Sequence, residues 1–83
     1  MDNKLFVLLD DYTTKVDECF NLVEALLKFS TNETATSALA NELVITAEIA
    51  QESFLALQEF GITSKDEARR IYLKEKNRRE NEN

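Results

Sequence analysis

The sequence of 83 residues lacks most of the residues that interrupt helices or staple small domains. It has no proline and a single glycine, Gly61, so almost nothing along the chain breaks a helix. One cysteine cannot form an intrachain disulfide, and without histidine that thiol has no partners for a structural zinc site. Because a core of this size supplies only a few kcal/mol of net stability, the fold must rely on helix packing, on self-association, or on both.

The same absences exclude most catalytic chemistry. Without histidine the chain has neither the usual general base nor a Ser–His or Cys–His pair. A single glycine cannot build a glycine-rich phosphate-binding loop. Cys19 lies on an apolar helical stripe, where a cysteine packs as a small apolar side chain. We therefore predict a protein that is not an enzyme and that binds no metal, no cofactor and no small-molecule substrate.

Long apolar runs are also missing. The longest, residues 5–9, is far shorter than the roughly 20 residues that span a bilayer. It is also too short for the core of a signal peptide, and two aspartates, Asp10 and Asp11, follow it directly. We therefore expect no membrane association and a cytoplasmic location.

What the chain does contain favours helices. A first set of apolar residues recurs with alternating spacings of four and three, which predicts a helix over about 3–29 with a heptad seam along one side. The members of this seam are Leu5, Leu9, Tyr12, Val16, Cys19, Val23 and Leu26. Phe20 and Leu27 widen the seam on its flanks. Asp2 or Asn3 is placed to cap the first turn.

A second apolar set with the same spacing predicts a second helix over about 33–60. Its members are Ala40, Leu43, Ala47, Ala50, Phe54 and Leu57. Ser30 and Glu33, between the two patterns, match a capping box and leave a link of only about three residues. So short a link forces the two helices to fold back as an antiparallel hairpin.

A third, shorter helix is predicted beyond the hairpin. Gly61 is the natural end of the second helix, and Ser64 with Glu67 forms another capping-box pattern. The third helix should cover about 65–76, and we expect residues 77–83 to be disordered because they are almost wholly charged or amide-bearing. The predicted fold is one all-α domain, a long antiparallel helical hairpin plus a short C-terminal helix.

The second helix carries more apolar surface than the first helix can cover. Its further apolar side consists of Ala38, Ile45, Ile49, Ala56 and Phe60. The third helix, a second copy of the chain, or a different protein could cover this side. The third helix offers an apolar stripe of about two turns against a second helix roughly 40 Å long. We therefore favour self-association, with two hairpins pairing into a homodimer that resembles a four-helix bundle.

Charge divides the chain unevenly. Residues 1–63 carry three lysines against eleven carboxylates, whereas residues 64–83 carry seven basic and five acidic side chains. The basic tail suggests an alternative function, a nucleic-acid-binding regulator that uses the hairpin as a dimerisation platform. The residues that would contact nucleic acid are Lys65, Arg69, Arg70, Lys74 and Arg78.

The surplus apolar surface and the lack of catalytic groups lead to a first functional prediction. We expect a protein-interaction module, such as a small adaptor, chaperone, antitoxin-like neutraliser or inhibitor, that binds both itself and another protein. The predicted interface residues are Leu39, Ile45, Ile49, Ala56 and Phe60.

Overall fold

Three helices form the described part of the chain, residues 1–82, in a computed structural model. They are α1 (Asn3–Lys28), α2 (Glu33–Gln58) and α3 (Lys65–Asn81), and residues 1–82 contain no strand. This confirms the all-α helical hairpin with a short C-terminal helix. The absence of proline and the two heptad seams explain why α1 and α2 each continue without a break for 26 residues.

Three of the predicted helix boundaries have the expected local chemistry. The Asp2 side chain caps α1 by accepting a hydrogen bond from the backbone N–H of Lys4 at 2.8 Å. Gly61 follows α2 with a φ of 86°, the left-handed conformation that glycine adopts without steric cost. Ser64 caps α3 by accepting a hydrogen bond from the backbone N–H of Glu67 at 3.1 Å.

The predicted capping box between α1 and α2 is wrong. Asn32, and not Ser30, caps α2, because its side-chain oxygen accepts a hydrogen bond from the backbone N–H of Ala35 at 3.0 Å. Asn32 directly precedes the first helical residue, Glu33, and has the extended backbone of an N-cap residue. Ser30 lies earlier, inside the turn that Asn32 closes with a backbone hydrogen bond to Phe29.

The third helix is longer than predicted. We expected it to end near residue 76 and residues 77–83 to be disordered, but α3 continues to Asn81. Asn83 lies outside the described residues. The extension coincides with contacts that composition does not reveal: Arg79 donates a hydrogen bond to Asn3 of α1, and the buried carboxylate of Glu75 accepts hydrogen bonds from Arg78 and Arg79 within α3.

The contact at the end of α3 involves four side chains. Arg78 and Arg79 each donate a hydrogen bond to Glu75, with the two Nε–O distances at 3.1 Å. The guanidinium of Arg79 lies 4.0 Å from the centre of the Phe6 ring on α1, within the range of a cation–π interaction. These contacts pair the buried carboxylate of Glu75 with two partly exposed arginines and link Arg79 to α1, which favours helical structure in the last turns.

The third helix packs along α1 and runs antiparallel to it. Contacts between the two helices follow opposite chain orders: Arg69 lies beside Asp17, Tyr72 donates a hydrogen bond to Asp10, and Arg79 donates one to Asn3. The Tyr72 ring also stacks on Phe6, with 5.6 Å between the ring centres. The order of the helices is therefore α2, α1, α3, with α1 in contact with both others.

The core lies at one end of the hairpin, where α3 docks. Its buried apolar residues are Leu9, Tyr12, Ala50, Leu57, Ile62, Ala68 and Tyr72. In the half nearer the α1–α2 turn, residues 20–45, no side chain is buried. The hairpin thus has a packed end and an open end.

Candidate protein-interaction surfaces

An open apolar groove runs between α1 and α2 and reaches the first turn of α3. Its volume is about 560 Å³. The floor of the groove is formed by Val16, Cys19, Phe20, Val23, Ala47 and Ala50, and its rim at the α3 end is formed by Lys65, Asp66 and Arg69. The floor contains no charged side chain. Cys19, which we interpreted as a core residue, is half-buried in this floor.

Large apolar side chains of α1 stand open along and beyond this groove. Phe20 is 65% exposed and Leu27, two turns further on, is 74% exposed. Val23, between them, is also exposed. From the sequence we assigned Phe20 and Leu27 to the flanks of the α1–α2 seam, but α2 does not cover them. The contacts of α3 with α1 run from Asp17 back to Asn3, so α3 does not cover them either. Three large apolar side chains on one helix face are far more than scattered exposure explains.

A regular spacing in α1 could have revealed these residues. Thr13, Val16, Phe20, Val23 and Leu27 follow one another at spacings of three and four, which is a second heptad seam that overlaps the first. We assigned Val16, Phe20, Val23 and Leu27 to one broad stripe and did not consider Thr13, because the sequence does not show where the neighbouring helix lies.

A second apolar surface lies on α2, on the opposite side from the groove. We call Ile45, Ile49 and Phe60 the outer face of α2. All three are exposed, with Ile45 at 53% and Ile49 at 40%. Ile45 and Ile49, four residues apart, lie on one side of the helix, and Phe60 lies in the turn that follows its last residue, Gln58. Ala47, which lines the groove, is two residues from Ile45 and two from Ile49. Two residues correspond to about half a turn, so the side of α2 with Ile45 and Ile49 points away from the groove.

The remaining two predicted interface residues are less accessible. Leu39 and Ala56 are half-buried. Leu39 is spaced four residues before Leu43 and eleven before Ala50, so it belongs to the seam that packs against α1. The structure therefore leaves three of the five predicted residues exposed, Ile45 and Ile49 on one side of α2 and Phe60 in the turn after it, and the spacing of Leu39 assigns it to the hairpin contact.

The outer face is open because α3 docks on α1. Of the three coverings considered for the second side of α2, the third helix is excluded in this structure, since its contacts lie along α1. Ile45 and Ile49 consequently face solvent in a single chain.

Two of the candidate nucleic-acid residues stand at the groove rim. Lys65 and Arg69 are one turn apart and line the end of the groove. A guanidinium nitrogen of Arg69 lies 3.9 Å from an Asp17 carboxylate oxygen, and both side chains are well exposed. Such an exposed pair contributes little stability and leaves Arg69 accessible.

The other three candidates lie elsewhere on α3. Arg78 donates hydrogen bonds to Glu75 and to Glu82, so its charge is already matched. Arg70 and Lys74, one turn apart, are exposed on the side of α3 away from α1, and no ion pair within residues 1–82 includes them. The five basic residues therefore occupy different sides of α3 and do not form one basic face.

The largest pKa shifts belong to two residues of α3, Glu75 and Tyr72, and not to either surface. The hydrogen bond from Arg78, followed by that from Arg79, lowers the pKa of Glu75 to about 2 against the cost of burial. The hydrogen bond to Asp10, followed by burial, raises the pKa of Tyr72 to about 12. The Tyr72–Asp10 hydrogen bond holds α3 against α1, which keeps α3 away from the outer face of α2, whereas the Glu75 ion pairs lie within α3.

Neither a metal cluster nor a membrane span is present in residues 1–82. No three histidine, cysteine or acidic side chains there converge on a common point, and none of the three helices is both long and apolar enough to cross a bilayer.

No family model matches the chain, and comparison with curated proteins and with solved structures finds no match. Function must therefore be inferred from the surfaces of this chain alone.

Proposed function

We propose that this chain is a non-enzymatic protein-interaction module that binds another protein through the outer face of α2. One observation carries the proposal: α3 docks on α1, so that Ile45 and Ile49 remain exposed on one side of α2 and Phe60 remains exposed in the turn after it. Apolar residues at these helical spacings are the anchors with which a helix occupies an apolar groove on a partner. An adaptor, a small chaperone, an antitoxin-like neutraliser and an inhibitor all act in this way.

The charge of α2 indicates the chemistry of that partner. Within its 26 residues α2 has four carboxylates, those of Glu33, Glu42, Glu48 and Glu52, and no basic residue. An acidic border around an apolar face favours a partner whose apolar groove is bordered by lysine or arginine, and it repels one bordered by carboxylates. Binding should therefore be faster at low ionic strength, since long-range attraction is screened by salt.

Replacing Ile49 with aspartate tests this function. The substitution puts a charge in the middle of the outer face, so recovery of a specific partner from cells of the source should fall at least tenfold, as should the affinity of the purified pair. Ile49 is already exposed, so helicity should stay unchanged. The control is Glu48→Gln, which alters the neighbouring polar side and should retain binding. If Ile49→Asp and wild type recover the same proteins with equal affinity, the outer face is not the binding site.

Nucleic-acid binding remains the second candidate, because Arg70 and Lys74 are exposed and have no ion-pair partner within residues 1–82. A gel shift with mixed DNA and RNA at low salt tests it. This function requires a shift that weakens steeply with salt and that the Arg70→Ala, Lys74→Ala double variant reduces. The protein-interaction proposal predicts no shift.

A further inference from the structure

We infer that the groove is the site where two copies of this chain pack together, so that two hairpins form a four-helix bundle. The groove lies on the other side of α2 from the outer face, and the inference rests on observations independent of the proposed function. In this arrangement a second copy of the chain occupies the groove, and the outer face remains free to bind a different protein.

The amount of exposed surface is the first observation. The chain exposes 6021 Å², whereas the size scaling of folded monomers gives about 5,050 Å² for 9.5 kDa. The excess, close to 1,000 Å², is comparable with the roughly 800 Å² that each partner buries in a standard interface. The radius of gyration agrees: it is 15.2 Å, against about 12 Å for a domain of this length. A single chain thus exposes more surface than a compact monomer of its mass, by about the area that one partner buries in a standard interface.

The second observation is the pattern of seams. In a four-helix bundle each helix packs against two neighbours and carries an apolar seam for each. Here α1 and α2 use one seam against each other, and α1 has the additional seam that includes Phe20, Val23 and Leu27. On α2, Ala40 and Ala47, which the sequence assigned to the seam with α1, are exposed, and with Val44 they form a set at spacings of four and three of which Ala47 lines the groove. Since the hydrogen bonds and the ion pair between α3 and α1 reach no further along α1 than Asp17, residues 20–27 of α1 and the groove side of α2 each have apolar surface for a neighbour that one chain does not provide.

The third observation is a match of size between the two helices. The additional seam of α1 presents large side chains, Phe20 and Leu27, seven residues apart. On the groove side of α2 the small residues Ala40 and Ala47 are also seven residues apart. Seven residues correspond to about 10 Å along either helix, so the two large side chains of one copy can fit against the two small residues of the other.

This match is the reason for assigning the groove to a second copy. A two-fold axis makes each contact occur twice, because α1 of each copy then meets α2 of the other. The uncharged floor of the groove allows such close approach without burying an unpaired charge.

Light scattering on the full chain tests the inference directly. Wild type should have twice the 9.5 kDa mass of one chain. The double variant Phe20→Glu, Leu27→Glu should be a monomer with unchanged helicity, since both side chains are exposed in a single chain. The matched control is Ile45→Glu, Ile49→Glu, which adds the same charge on the outer face and should remain a dimer. A monomeric wild type at every concentration, or a dimer that only the control dissociates, would overturn the inference.

Disulfide trapping tests the same contact without disrupting it. In a Cys19→Ser background, a chain with Phe20→Cys is mixed with a chain carrying either Ala40→Cys or Ala47→Cys and then oxidised. At least one mixture should give an efficient mixed dimer, and a Phe20→Cys chain mixed with an Ile49→Cys chain should not. Failure of both mixtures overturns the inference. A dimer that persists in Ile49→Asp while partner binding is lost separates this inference from the proposed function.

Discussion

Replacing Tyr72 with phenylalanine removes one hydrogen bond between α3 and α1 and leaves the aromatic ring in place. The Tyr72 hydroxyl donates to a carboxylate oxygen of Asp10, and the ring stacks on Phe6. This contact joins residues 62 positions apart and lies in the middle of the α1–α3 interface. Its loss should therefore weaken the docking of α3 without changing the packing of the ring.

The size of the effect follows from the surroundings of the two groups. A hydrogen bond to a charged group contributes about 1.5–3 kcal/mol. The rise in the pKa of Tyr72 from 10.0 to about 12 corresponds to roughly 3 kcal/mol of preference for the neutral hydroxyl before screening by water. Asp10 is only half-buried, so water screens the pair and hydrates the carboxylate when the hydroxyl is removed. We therefore expect Tyr72→Phe to lower the free energy of unfolding by about 1–2 kcal/mol.

Thermal and urea unfolding, followed by circular dichroism at one fixed protein concentration, measure this loss. For a domain of this size the expected fall in Tm is about 5–15 °C. Tyr12→Phe is the matched control: Tyr12 is equally buried, but its hydroxyl forms no hydrogen bond within residues 1–82, so its stability should change by less than about 0.5 kcal/mol. In a double-mutant cycle with Asp10→Asn, the two substitutions should cost less together than the sum of the single effects.

The pH dependence gives an independent check. The folded-state pKa of Tyr72 lies above its unfolded value, so the stability it contributes is complete below pH 10 and is lost as pH rises from about 10 toward 12. The phenylalanine variant should lack this loss. Equal stability of variant and wild type, or an equal loss above pH 10, would refute the assigned role of the Tyr72–Asp10 hydrogen bond.

Two further predictions concern the end of α3 and the turn before it. The folded-state pKa of Glu75 lies below its ordinary value of 4.5, so wild type should lose stability as pH falls from about 4.5 toward 2. Glu75→Gln should be less stable at pH 7 and should show a smaller loss in Tm scans across that range. Gly61→Ala should cost about 1–2 kcal/mol in urea unfolding, because the backbone has a φ of 86° while a Cβ there would meet no atom within 4 Å. Gly61→Asn should cost less, and equal costs would contradict the strain argument.

The helices themselves could be predicted from the sequence, because their causes are local. The absence of proline and the heptad seams determine α1 and α2, and the predicted ends lie within about two residues of the observed ones. Asp2, Gly61 and Ser64 act as expected, since a cap or a left-handed residue acts within one turn of itself. The outer face of α2 followed in the same way from spacing within one helix.

Only the tertiary structure decided which helix faces have neighbours. The choice of α1 for the docking of α3 depends on Tyr72 meeting Phe6 and Asp10, a contact between the two ends of the chain. Beyond its predicted end, α3 continues to Asn81 and meets α1 through Arg79, which contacts Asn3 and Phe6. It also leaves Phe20 and Leu27 exposed beside the groove. The spacing along a helix determines which side chains share a face, but the positions of the other helices determine whether that face is covered.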